Sequence, residues 1–247
     1  MIHRTWLSLR FRFVFCSLIC ISFGIACSWL WANGPVVQNL LHGMVPPSQS
    51  RAGVDDPLLR RLGEYDFFIQ HIWFEGIANQ VLPFLVVLLT VGGVVSEKKS
   101  GEVPFTLSLP ARRSSWVMTR MVIVFGMTFL LMALSTVAVL STGRWFGYTY
   151  SIEKAVAESF LCVLLAVMWI GLTACLEMWL IAAMNTLVGI FVLQFASLLV
   201  DRWTLWSSLL QIDIWHFGVP WRPLLLLIAV ATGSVLLALQ RFNRMDF

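Results

Sequence analysis

The chain has 247 residues, 59% hydrophobic and 12% charged, with seventeen Lys and Arg against thirteen Asp and Glu and a net charge of +4. A soluble domain is about 45–50% apolar and about 25% charged, so this composition excludes an ordinary soluble enzyme or binding module. Several apolar runs approach the roughly 20 residues that cross a hydrocarbon core. The short alternating segments of a membrane barrel are missing from the sequence, which leaves an all-α integral membrane protein.

In chain order, the basic residues Arg4, Arg10 and Arg12 lead into a first span at about 13–32. Trp29 and Trp31 stand where a cleavable signal needs small residues, so the segment reads as a retained span. An extracytoplasmic loop follows at 33–71, with the turn-forming stretch "GMVPPSQSRAGVDDP" at its centre. Its flanks carry helical spacing of apolar residues and suit the membrane interface. The second span is expected at about 74–95 and holds Asn79 and Gln80. A cytoplasmic loop occupies 96–115, the third span about 116–140, and the fourth about 159–183 with Glu177 inside it. A short fifth run, 187–200, contains Gln194 and is stopped by Asp201 and Arg202. The sixth span is expected at about 223–239.

Orientation follows the lysines and arginines. With the N-terminus inside, ten basic and three acidic residues fall on the cytoplasmic side, and seven basic and nine acidic residues on the other. Both termini are therefore expected in the cytoplasm. Tryptophans, among them Trp29, Trp31, Trp73 and Trp145, cluster near the expected outer span ends, a depth that suits amphipathic rings. The basic balance is thus a topological signal, and no nucleic-acid partner is expected.

The sequence offers little chemistry of its own. The cysteines Cys16, Cys20, Cys27, Cys162 and Cys175 lie in apolar runs without a Cys-x-x-Cys pair and read as small buried hydrophobes. The four histidines are scattered, and no metal site is expected. There is no phosphate-binding Gly-x-x-x-x-Gly-Lys-Ser/Thr loop and no paired aspartates, Ser/His pair or His-rich motif within a span. The chain is therefore not expected to be catalytic or to bind a cofactor itself.

The unusual segment is "SEKKSGEVPFTLSLPARR", Ser96 to Arg113. Phe105, Leu107 and Leu109 place apolar surface between the basic pairs Lys98-Lys99 and Arg112-Arg113. Two readings of these residues stand side by side. One is a hydrophobic knob offered to a soluble partner; the other is a connector held against anionic headgroups by its basic pairs.

These residues resemble the signature of ABC type-2 exporter permeases. That family carries Glu, then Ser-Gly, a leucine-rich turn, Leu-x-Leu-Pro and a basic residue after its second span. Here they are matched by Glu97, Ser100-Gly101, Leu107-Ser108-Leu109-Pro110 and Arg112. Arg120 stands where the family has a lysine opening the next span. Glu102-Val103-Pro104 departs from the family's Thr-Leu-Glu, and Pro104 favours the first turn of a helix over its interior. The resemblance implies six transmembrane helices with cytoplasmic N- and C-termini. It also implies a short cytoplasmic coupling helix between spans 2 and 3, and a re-entrant helical element between spans 5 and 6. It further implies a separate ABC nucleotide-binding (ATPase) subunit that carries ATP and Mg. A second permease chain would complete the path, in a bacterial cytoplasmic (inner) membrane. Leu107 and Leu109, with Phe105, would pack against the ATPase, and Glu97, Arg112 and Arg113 would make polar contacts.

Polar residues within the spans, Asn79, Gln80, Glu177 and Gln194, are candidates for interhelical hydrogen bonds or for lining a path. Arg12 and Arg120 are offered as partners for Glu177. Gly92-Gly93 and Gly126 would allow close approach of helices or a bend. A proton-coupled secondary transporter using Glu177 and a non-transporting anchor or sensor subunit are the alternative functions.

Overall fold

The computed structural model describes residues 2–34, 64–91, 113–180, 186–190, 192 and 221–244. Every element among them is helical. The helices are α1 (Ile2–Ala32), α2 (Tyr65–Thr90), α3 (Arg113–Trp145), α4 (Ile152–Leu180) and α5 (Trp221–Asn243). Residues 186–190 are helical as well. Four segments are long and apolar enough to cross a membrane: Leu9–Ala32, Tyr65–Thr90, Val117–Trp145 and Ile152–Trp179. Among the described residues the structure is thus all-helical, compatible with an integral membrane protein. In such a setting a helix is the economical choice, because it pairs its own backbone groups where no water can.

The helices outrun the apolar cores that signal them. α2 begins at Tyr65, so residues 65–71, read from sequence as part of the loop with a helically spaced flank, belong to the same long helix. α4 begins at Ile152, and Glu158 therefore sits in a helix and not ahead of one. Ser151 stands just before it; its carbonyl accepts the Ala155 N–H at 3.0 Å, and Glu153 puts negative charge in the first turn. α3 ends in a Schellman motif. Gly147 has φ +82, its N–H donates to Arg144 O at 3.0 Å, and the Tyr148 N–H donates to Gly143 O at 2.9 Å. Only glycine adopts that left-handed turn without cost, and the motif satisfies two carbonyls that the helix end would otherwise leave open.

α2 is not α-helical throughout. A π-helical run, Ile69–Ala78, separates Tyr65–Phe68 from Asn79–Thr90. The type changes at Asn79, the residue four before Pro83. Proline has no N–H to give the Asn79 carbonyl and its ring crowds that oxygen. Most π geometry is confined to a single turn, so ten residues of it is a long run.

The chain divides into two compact units. The first comprises Met1–Val14, Leu82–Leu130 and Val163–Phe247. Its core includes Leu9, Leu85, Leu89, Met121, Val124, Met127, Leu165, Met168, Trp169, Leu227 and Phe242. The stretch of α4 here is buried on nearly all sides, which marks it as the central helix of the unit. Gly171 lets α4 meet α5 closely: a Cβ there would lie 2.9 Å from the backbone oxygen of Ala231. A Cβ at Gly126, expected to allow close approach or a bend, would meet no other element within 4 Å among the described residues.

The second unit comprises Phe15–Val81 and Leu131–Cys162. α1 contributes a buried face of small residues, Cys16, Cys20, Gly24, Cys27 and Ser28, at helical spacing. Small faces let helices pack closely where lipid tails remove any hydrophobic gain from association. The cysteines are thus packing residues, and all five thiols of the chain are free. Trp31, Tyr65, Phe68 and Tyr148 form an aromatic cluster. Trp31 lies 5.0 Å from Phe68 and 5.8 Å from Tyr65, and Tyr65 stacks on Tyr148 at 5.2 Å.

Candidate functional site

In the sequence, the segment singled out falls between the end of α2 and the start of α3. Of its residues, Glu97, Ser100, Gly101, Phe105, Leu107, Leu109, Pro110 and Arg112 lie outside the described residues. Arg113 is the first residue of α3, with its side chain outside them as well. The structure does describe the root from which the segment leaves.

A helix ends with four carbonyls that have no donor within it. At the end of α2, three of them are met by arginines from other helices. Arg12 of α1 donates through Nη1 to the Leu88 carbonyl at 3.1 Å and to the Val91 carbonyl at 2.5 Å. Arg120 of α3 donates through Nη2 to the Thr90 carbonyl at 3.2 Å. The ladder runs to this point, since the Val91 N–H donates to Val87 O at 2.8 Å. The Thr90 hydroxyl also turns back, donating to Val86 O at 2.7 Å. The arrangement is favourable twice over. Cations suit the negative end of the helix dipole, and hydrogen bonds from ionised donors are stronger than neutral ones. Three helices are joined at one helix end, all within the first unit.

The intrahelical polar candidates fall elsewhere. Asn79 opens the α-helical part of α2, with its side chain outside the described residues. Gln80 is exposed and belongs to the second unit. Gln194 lies outside the described residues. Glu177 is buried in α4, only 3% exposed, and belongs to the first unit. Near Glu177 in sequence, the Arg241 guanidinium of α5 lies over the Trp179 ring, 5.1 Å from its centroid. That contact ties α5 to α4 through a cation–π attraction.

No protein-family model, no curated protein and no solved structure matches the chain. The site is therefore read from its own residues.

Two features escaped the sequence reading. Arg12 and Arg120 stood out as charges, but among their acceptors are backbone carbonyls, which sequence does not display. Glu158 was counted with the extracytoplasmic acids, yet it is 4% exposed. A signal for it was available: Ala155, Glu158 and Cys162 share one helical face, and both neighbours are buried. α4 thus carries two buried carboxyl residues, one in each unit.

Proposed function

We propose that the chain is the membrane-spanning permease subunit of an ABC transporter of the exporter type. It would form the translocation path and be driven by ATP hydrolysis on a separate nucleotide-binding subunit. The observation that carries this reading is the sequence from Glu97 to Arg113, which sets Phe105, Leu107 and Leu109 between the basic pairs Lys98-Lys99 and Arg112-Arg113. It joins the end of one long apolar helix to the start of another. An ATPase that moved this segment would pull directly on α2 and α3. The remaining parts of the reading are six spans, cytoplasmic termini and a short coupling helix within the segment. To these it adds a re-entrant element after the fifth run, a second permease chain, and ATP with Mg on the partner. The setting is a bacterial inner membrane.

The test is co-expression of the tagged chain with a candidate ATPase subunit. Copurification from membranes and ATP hydrolysis by the complex are measured for the parent chain and for Leu107→Asp with Leu109→Asp. The expected result is a complex that hydrolyses ATP, lost in the double variant while the chain still inserts. If association survives the double change, the segment is not the docking surface.

The burial of Glu177, and separately of Glu158, favours one other reading, a proton-coupled secondary transporter, because carboxyl groups inside membrane helices commonly serve proton relays. That reading requires no ATPase. It predicts uptake driven by a pH gradient and abolished by Glu177→Gln or Glu158→Gln.

A further inference from the structure

We infer that Arg12 and Arg120 are positioning residues that fasten the root of the 92–112 segment to α1 and α3. A displacement of that segment would then move three helix ends together. The inference rests on the transporter reading above, since it assigns the route by which the segment's motion enters the helices.

The argument begins with the weakness of a helix end. The last turn of a helix has carbonyls without intrahelical donors, and such turns open at little cost. A force applied to a loop beyond a fraying turn would unwind the turn before it moved the helix. The end of α2 is instead braced. One nitrogen of Arg12 reaches the carbonyls of Leu88 and Val91, three residues apart and so on neighbouring turns of the chain's path. Arg120 takes the carbonyl of Thr90 between them. Each guanidinium comes from a different helix, so the last turn of α2 cannot shift without drawing on α1 through Arg12 and on α3 through Arg120. Both charges would be costly in an apolar setting without partners, and the carbonyls of Leu88, Thr90 and Val91 provide acceptors. The directions agree with the helix dipole. Arginine suits the role better than lysine because its planar fork holds a fixed geometry, whereas an ammonium is a point charge on a flexible stem.

The experiment uses the full chain in nanodiscs with its ATPase subunit. Spin labels are placed at Phe11→Cys in α1, which is tied to the segment only through Arg12, and at Leu236→Cys in α5, which is outside the clamp; both are exposed, at 73% and 60%. The half-buried Cys175 is replaced by serine; the other four thiols are buried. The distance between labels is read without nucleotide and with ATP plus vanadate. In the parent complex the distance is expected to shift on trapping. In Arg12→Gln with Arg120→Gln, ATPase association and hydrolysis stay within about twofold of the parent, but the shift disappears. Arg12→Lys with Arg120→Lys recovers part of it. A shift that persists in the glutamine variant overturns the inference. So does a parent complex that shows no shift, or a glutamine variant that loses ATPase association along with the shift, since the arginines would then be merely structural.

A second measurement separates the clamp from the transporter reading. Hydrogen exchange of the amides at 88–91 in the chain alone should be about tenfold faster or more in the glutamine variant, given the strength of hydrogen bonds from charged donors. Unchanged exchange overturns the clamp, whatever the partner. Failure of the parent chain to bind any ATPase, with exchange accelerated as expected, overturns the transporter reading and the transmission role with it, and leaves the clamp as a structural brace.

Discussion

The two ends of α2 are held by different physics. At Thr90, in the first unit, backbone carbonyls are gripped by guanidinium groups. At Tyr65, in the second unit, the helix starts among the rings of Trp31, Phe68 and Tyr148. A charge-assisted hydrogen bond weakens steeply when its angle or distance changes. Ring contacts accept a range of offsets and tilts for little cost. α2 is therefore pinned at the end that leads to the 92–112 segment and cushioned at the other.

The comparison can be broken or sharpened in order of expected effect. Gly171→Leu should be the most damaging change in the first unit, because the atom its Cβ meets is backbone, which cannot rotate aside. A cost of about 3 kcal/mol or more, the upper end of what overpacking brings, is expected, read as an earlier midpoint in an SDS titration of the folded chain. Gly126→Leu, whose Cβ would meet no other element within 4 Å among the described residues, should leave the midpoint unchanged, and a shift there would show that the helix faces are assigned wrongly. Arg12→Met removes the donor for two carbonyls and should cost about 1.5–3 kcal/mol in the same titration. Trp31→Leu, at the cushioned end, keeps most of the apolar bulk and should cost about 0.5–1.5 kcal/mol, the scale of aromatic pairing. If Trp31→Leu costs more than Arg12→Met, the pinned and cushioned ends have been exchanged. Tyr65→Phe is the mildest. Its hydroxyl lies 3.4 Å from Ser28 Oγ, a long contact, and a hydrogen bond between membrane helices is worth on average about 0.6 kcal/mol.

Much of the helical layout could be read from the sequence, because an apolar run long enough to span a membrane has few other uses. The limits of the helices could not. Asp66, Gln70 and His71 interrupt the apolar pattern ahead of Trp73, so this helically spaced stretch read as an interfacial flank of the loop and the span was set to begin at 74. Yet Gln70 is buried and His71 stacks on Phe67 at 3.8 Å. Glu158 misled in the same way: a charge near a helix start reads as solvated unless the spacing of its neighbours is weighed. The candidate site divides similarly. The chemistry of the 97–112 segment is written in its side chains and can be proposed from them. The clamp at its root is a contact between side chains and main chain, and the carbonyls of Leu88, Thr90 and Val91 look like those of any other residue in a sequence. Gly171 and Gly126 make the same point for packing, since the two are identical in sequence and only one meets another helix.

The π-helical run Ile69–Ala78 bears on how this chain can change length over time. In an ordinary helix, adding or removing one residue turns everything beyond it by about 100° and carries a buried face into the open. A π turn is the form a helix takes when it already holds a surplus residue. Deleting one position within the run would let that turn tighten to the α form, and the adjustment could be taken up at any of its ten positions. The start of α2 is thus the part of this molecule where insertions and deletions inside a helix are most readily absorbed, and where relatives of this chain are expected to differ in length.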